Sequence, residues 1–171
     1  MGTIFVDKLD PQSGTTLTLG SSGDTVSLTS GAKTSGFGKI GQIQSTTLTS
    51  TVSISSSSTS TFADVTGLSV NITPTSTSSK ILVLYTLSFS AGGGSKHMRL
   101  MRDSTAINIG DAGQANQIRS TVSSRPAATV YDLDTANQAG QFLDSPSSTS
   151  QITYKIQVTL GASYSSTAYI N

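Results

Sequence analysis

The chain has 171 residues, of which 35% are hydrophobic and 11% charged, with a formal charge of +1 and no cysteine. That length suits one domain with an appendage. The near-neutral charge gives no electrostatic case for nucleic acid or an anionic membrane, and the missing thiols exclude disulfides, thiolate metal sites and a cysteine nucleophile.

Ser and Thr fill about a third of the positions. Such composition accompanies disorder when net charge is high and β-branched residues are few. Here the charge is small and Val, Ile and Thr abound, which favours short strands joined by Ser/Gly turns. Residues 1–10 contain no apolar run of the kind a signal peptide carries, and no stretch reaches bilayer-spanning length.

Taken in order, residues 3–7 form a short strand candidate, and residues 10–14 a turn in which Pro11 presets one dihedral and Gly14 supplies the positive one. Residues 15–19 and 25–28 are two small alternating strands with Leu17, Leu19, Val26 and Leu28 as apolar teeth, linked by a Gly20–Asp24 turn. Units this small cannot bury those teeth alone, so neighbouring copies or a larger partner must cover them. Residues 31–38 are a Ser/Gly linker. The chain therefore divides into a stalk over residues 1–38 and a head over residues 39–171.

In the head, Ile40 and Ile43 open a first strand toward Leu48, and Val52 and Ile54 form a short second piece before a Ser/Thr loop at 55–61. Residues 62–72 alternate around Thr66 and Gly67, a bulge or bend. Residues 80–90 are the strongest apolar run. Ile81, Val83, Tyr85, Leu87 and Phe89 share one face, and Leu82 and Leu84 begin the other, so this strand is expected to be covered on both sides at its start. Gly92, Gly93 and Gly94 end it. Residues 96–102 resume extended structure, turn at Arg102-Asp103-Ser104-Thr105 and return as a hairpin. A polar loop at 110–118, strands at 121–124 and 127–133, a loop at 134–140 and a short strand at 141–144 follow. Residues 151–160 alternate Ile152, Tyr154, Ile156, Val158 and Leu160 with polar partners, a strand with one wet face. Residues 167–170 close the chain inside what reads as a strand, which suggests that the natural protein continues past Asn171. With no sustained helical spacing, the fold class is all-β, an antiparallel sandwich or jelly roll.

Little of this chain carries chemistry. His97 is the only histidine and no G-x-S-x-G elbow exists, so nucleophilic hydrolysis and His-based metal sites have no basis. His97 reads as a surface histidine at a strand start. Gly36-Phe37-Gly38-Lys39-Ile40-Gly41 fits G-x-G-x-x-G, but it follows a linker and precedes a strand, the wrong context for a dinucleotide. Asp132, Asp134 and Asp144 offer oxygen ligands for Ca²⁺ or a carboxylate pair for a glycosidase, yet no ligand loop surrounds them. Arg99, Arg102, Arg119 and Arg125 read as solvated strand faces. Asn71-Ile72-Thr73 is a formal sequon inside a strand, with nothing else marking a secreted eukaryotic protein. No catalytic, metal or cofactor residue is assigned.

The opening Ile4-Phe5-Val6-Asp7-Lys8-Leu9-Asp10-Pro11-Gln12-Ser13-Gly14 and Leu19-Gly20-Ser21-Ser22-Gly23-Asp24 resemble the N-terminal segments of short tail-fibre-like structural proteins of marine bacteriophages, including cyanophages. Phe62-Ala63-Asp64-Val65-Thr66-Gly67-Leu68 with Lys80-Ile81-Leu82-Val83, Leu100-Met101-Arg102-Asp103, Phe142-Leu143-Asp144-Ser145-Pro146 and Tyr154-Lys155-Ile156 look like blocks of the fibre head. The resemblance spans nearly the whole chain and rests on structural motifs. It implies a β-sandwich head, a further strand after Asn171, a homotrimer and a place in the virion, and no catalytic residues.

The expected function is a tail-fibre-like virion protein that displays a trimeric β head for host-surface attachment, joined to other tail or capsid proteins through residues 1–38. A host-surface glycan is the candidate ligand. Candidate contacts are Ser95, Lys96, Gln114, Asn116 and Tyr164, in three loops. Two alternatives stand beside it: a capsid decoration or head-fibre protein without a receptor role, and a glycan depolymerase using Asp132 or Asp144.

Overall fold

The computed structural model describes residues 9, 11, 13–15, 17–18, 20–25, 40–56, 61–91, 95–111, 114, 117–124, 135–161 and 166–170. These fall into two compact units, Met1–Gly41 and Gln42–Asn171.

In the first unit, the described residues show turn geometry. Gly14, Gly20 and Gly23 have φ of 81°, 80° and 95°. The Asp24 carboxylate accepts the Ser21 N–H at 2.6 Å while the Asp24 N–H donates to the Ser21 carbonyl at 3.0 Å. The expected Gly20–Asp24 turn is thus present, while of the expected turn at 10–14 the described residues show a bend at Ser13–Thr15 with Gly14 at positive φ. Thr15, Leu17, Thr18 and Thr25 are not in strands, and the other residues of the expected small strands lie outside the described ones.

The second unit is an all-β sandwich of two antiparallel sheets, with no helix among the described residues. Its strands are β1 (Val52–Ser56), β2 (Ala63–Ile72), β3 (Ile81–Ala91), β4 (Lys96–Arg102), β5 (Thr105–Ile107), β6 (Val122–Ser124), β7 (Thr135–Asp144), β8 (Ile152–Leu160) and β9 (Ser166–Ile170). One sheet has the order β1-β9-β3-β7. The other runs β2-β8-β4-β5, with β6 also paired to β4. From β1 to β4, and again from β7 to β9, successive strands alternate between the sheets. No strand is thus next to its chain neighbour there, and side chains distant in sequence meet across the layer.

The core follows strand parity. Leu87, Phe89 and Ala91 of β3 and Ala168 and Ile170 of β9 face Met98 and Leu100 of β4 and Ile156, Val158 and Leu160 of β8, all buried. A second cluster of Ile81, Ile152 and Tyr154 continues this layer toward one end. The bulge in β2 is real: its register against β8 shifts between Asp64 and Ser69, and Gly67 has a φ of 88° that disfavours any side chain. The β4–β5 hairpin turns through two residues, with Arg102 opposite Thr105 and Asp103 at a φ of 52°. That turn is fixed to β8, because the Asp103 N–H donates to the Thr153 carbonyl (2.8 Å) and its carboxylate accepts the Thr153 N–H (2.9 Å).

Three expectations change. Residues 40–49 form no strand, and Ile40 and Ile43 are exposed. Only Leu48 of that stretch packs on the core. Residues 135–140 are strand and not loop: Thr-Ala-Asn-Gln-Ala-Gly has weak β-propensity, but every residue pairs with β3. At Gly140 the missing side chain has a use. An added Cβ would meet Tyr85 Oη and lie 2.6 Å from Tyr85 Cζ, so the glycine makes room for the ring opposite. The third concerns Leu82 and Leu84. They are 57% and 68% exposed and not covered on their side of β3. The strand expected over 127–133 lies outside the described residues.

Candidate functional site

Two groups of interacting charged side chains stand out among the described residues of the sandwich. The first lies between the sheets. Asp144 ends β7 with the same parity as Phe142, so it points inward, and only 7% of its side chain is exposed. Arg102 ends β4 with the parity of Leu100 and also points inward. Its Nη1 donates to both Asp144 oxygens, at 2.9 and 3.0 Å. Tyr154 of β8 donates its hydroxyl to Asp144 Oδ2 at 2.6 Å, and the Ser145 N–H donates to Oδ1 at 2.8 Å. One carboxylate from the four-stranded sheet thus ties two strands of the other sheet. Burial first, and then the hydrogen bond to Asp144, push the Tyr154 hydroxyl far above its usual range, so it stays a donor.

Arg102, expected on a solvated strand face, instead points between the sheets, and the Asp144 carboxylate is buried beside it. Every oxygen of Asp144 has donors, which suits a fastener rather than an acid or a ligand awaiting a metal. Among the described residues no group of three or more His, Cys, Asp or Glu converges. Asp132, Asp134 and Arg125 lie outside the described residues, as do residues 36–39 of the glycine pattern.

The second place is the outward side of the five-stranded sheet. Asp64 of β2 accepts Lys155 Nζ at 2.8 Å and Gln157 Nε2 at 2.6 Å, and Gln157 Oε1 accepts Arg99 Nε at 2.8 Å. Arg99 lies 4.1 Å from the centroid of the Phe62 ring. The Lys155 and Gln157 hydrogen bonds hold the Asp64 carboxyl below its usual range. Asn71 of the formal sequon accepts the Thr153 hydroxyl at 2.7 Å across the same sheet. Arg119 donates to the Gly110 carbonyl at 2.7 Å.

Of the candidate contact residues, Ser95 and Gln114 are partly or fully open to solvent. The Ser95 carbonyl accepts the Gly161 N–H at 2.7 Å, and its hydroxyl pairs with His97 Nε2 at 2.9 Å. The Gln114 carbonyl accepts the Gln117 N–H at 3.1 Å. Lys96 is 3% exposed, because it begins β4 on the core side with Met98 and Leu100. It is therefore removed from the contact set in this chain. Asn116 and Tyr164 lie outside the described residues. His97 is half-buried rather than on the surface, its Nδ1 is buried without a hydrogen bond, and desolvation lowers its pKa.

The outward side of the four-stranded sheet has a different character. Leu82 of β3 stands directly opposite Leu143 of β7, which is 59% exposed, and Leu84 is two residues along. Thr86 reaches Asn137 at 3.0 Å, and Ser55 reaches Thr167 at 3.2 Å. The remaining strand residues of this parity, such as Gln141, Ala139 and Tyr169, are uncharged. The alternation of residues 80–90 put Leu82 and Leu84 on one side of the strand, but neither their exposure nor the absence of charge across the four strands was readable, since both depend on strand order in the sheet.

Comparison of the chain with family models, with curated proteins and with solved structures finds no match.

Proposed function

We propose that the protein is a structural component of a virion, a tail-fibre-like chain whose sandwich is displayed as a homotrimeric head for attachment to the host surface. One observation carries this: the buried charges act as fasteners. Asp144, one of the two aspartates singled out for an enzymatic role, is fully engaged by Arg102, Tyr154 and the Ser145 amide. On the exposed outward side, Asp64, Lys155, Gln157 and Arg99 also join strands. Side chains spent on holding sheets together suit a display scaffold. The sequence resemblance to phage fibre heads supports the same reading. So does the alternation of successive strands between the two sheets, as expected of a sandwich or jelly-roll head.

Residues 1–38 are the attachment segment in this reading, and the loops bearing Ser95 and Gln114 are the surface offered to a host glycan. Deleting residues 1–38 should leave the head folded, as judged by an unchanged β-type circular dichroism spectrum, and abolish its recovery in purified particles. Recovery of the truncated chain in particles would overturn the assignment of roles. Saturable binding of the full chain to host cells distinguishes attachment from capsid decoration, which shows none.

A further inference from the structure

We infer that the outward side of the four-stranded sheet is where copies of this chain meet. The inference rests on the reading of the protein as an assembly of identical copies, and it assigns the interface. Three observations point the same way.

The first is the cluster of leucines. Leu82 and Leu143 are direct cross-strand neighbours and Leu84 extends them along β3, so the three form one contiguous patch. Each is more than half exposed, at 57%, 59% and 68% for Leu82, Leu143 and Leu84. Scattered exposed apolar residues are ordinary, whereas contiguous ones mark a surface that is covered.

The second is charge. The strand residues on this side include no Asp, Glu, Lys, Arg or His; the cation bordering the leucines, Lys80 just before β3, donates to the Ser145 hydroxyl at 2.6 Å. A surface that meets copies of itself near a symmetry axis places like groups together, so any charge there would repel its own image. The opposite sheet bears Asp64, Lys155 and Arg99 outward and would pair badly with itself. A glycan partner would favour an aromatic platform beside the leucines, whereas the exposed Tyr169 of this side stands opposite Ser90, at the other end of β3. A strongly charged partner protein would leave its charges unpaired against this face.

The third is the edge. β7 ends the strand order and pairs only with β3 among the described strands, along ten residues in unbroken register. It has no Lys, no Pro and no bulge, the devices by which monomers blunt an open edge. Its single charge, Asp144, is turned inward to Arg102. This edge, unpaired among the described strands, and the leucine patch share the same strand, so one neighbouring copy seated on β3 and β7 covers both.

The test uses the full chain. Native mass spectrometry or light scattering on the unaltered protein should give a multiple of the 17.5 kDa chain mass. Leu84→Glu should reduce that multiple to the monomer, and Ser69→Glu, on the outward side of the opposite sheet, should leave it unchanged. A second readout covers a variant that misfolds or an assembly also held by residues 1–38. The chain has no cysteine, so single Leu84→Cys and Leu143→Cys variants report on their own. Under oxidation at micromolar concentration, at least one should form disulfide-linked dimers, and Ser69→Cys should not. A monomeric unaltered protein overturns both the interface and the homotrimer. A multimer that survives Leu84→Glu, with no cross-link at Leu84→Cys or Leu143→Cys, overturns the interface and leaves the assembly reading in place. A monomer whose melting temperature rises with added oligosaccharide would give the face to a glycan and equally overturn the inference.

Discussion

Replacing Asp144 with alanine should be among the most damaging single changes in the sandwich. The substitution strips three partners at once: the Arg102 guanidinium, the Tyr154 hydroxyl and the Ser145 amide. Breaking a buried ion pair by removing one partner costs about 3–5 kcal/mol, chiefly because the survivor is left charged and desolvated. Arg102 retains 28% side-chain exposure, so water takes over part of its solvation and the low end applies. The orphaned Tyr154 hydroxyl adds about 1 kcal/mol. The expected loss is then about 3–4 kcal/mol, a large share of the ~5–15 kcal/mol that holds a typical domain. Urea unfolding at fixed protomer concentration reads it as a midpoint lower by about 1–2 M with an unchanged slope. Asp144→Leu combined with Arg102→Met should recover most of the loss, since apolar groups of similar volume replace a buried pair at little cost. A loss below about 1 kcal/mol for Asp144→Ala, or a double variant no better than the sum of the singles, would refute the clamp as a coupled unit.

Other consequences are narrower. Gly140→Ala should cost about 1–3 kcal/mol, because its Cβ collides with the Tyr85 ring; a Tyr85→Ala background should erase most of that increment in a double-mutant cycle. The Tyr154 hydroxyl is held above its ordinary value of 10.0, so its contribution is intact below pH 10 and lost as pH rises beyond it. Alkaline unfolding of Tyr154→Phe should therefore be less steep than that of the unaltered protein, and equal slopes would contradict the assignment. Desolvation lowers the His97 pKa from 6.5, so folding favours the neutral ring and stability falls as pH drops below 6.5. His97→Gln should flatten the urea-midpoint profile between pH 6.5 and about pH 5, a change absent if His97 were a solvated surface group.

How much of this was legible depends on the range of the interaction. Local signals carried well: the hairpin at Asp103–Ser104, the Gly67 bulge and the two anchor strands all follow from alternation and turn chemistry over a few residues. Residues 135–140 misled because their strand is held by pairing with β3, some 50 residues away, against their own propensity. The clamp was half-legible. Asp144 continues the parity of Phe142, and Arg102 that of Leu100, so both belonged to apolar stripes. Reading charge as solvent exposure hid what the alternation implied. Which charge met which could not be read, because β4 and β7 lie in different sheets. For the contact residues, Lys96 illustrates the same point: its position beside Gly94 and Ser95 suggested a loop, and its parity with Met98 placed it inside.

The two apolar sides of β3 bear on assembly energetics as well as on fold. The inward side meets the opposite sheet, while the outward side meets no described strand of the sandwich. Leu82, Leu84 and Leu143 together leave nearly two leucine side chains' worth of surface in water. At about 1.5–3 kcal/mol per fully buried leucine, covering them is worth roughly 3–5 kcal/mol per copy. Bringing copies together costs at least about 4 kcal/mol in lost translational and rotational freedom. The leucines therefore sit near break-even, and lasting association needs a further contribution, for which the open β7 edge is adjacent. A strand added there gives a line of backbone hydrogen bonds that tolerate almost any side chain, while the leucines fix the face that is covered. In such an interface, truncating one leucine should weaken association by about tenfold or slightly more, through roughly 1.5 kcal/mol, whereas a charge at Leu84 both removes apolar area and sets like charges against each other. That asymmetry between truncation and charge is what separates a surface that merely tolerates contact from one on which assembly depends.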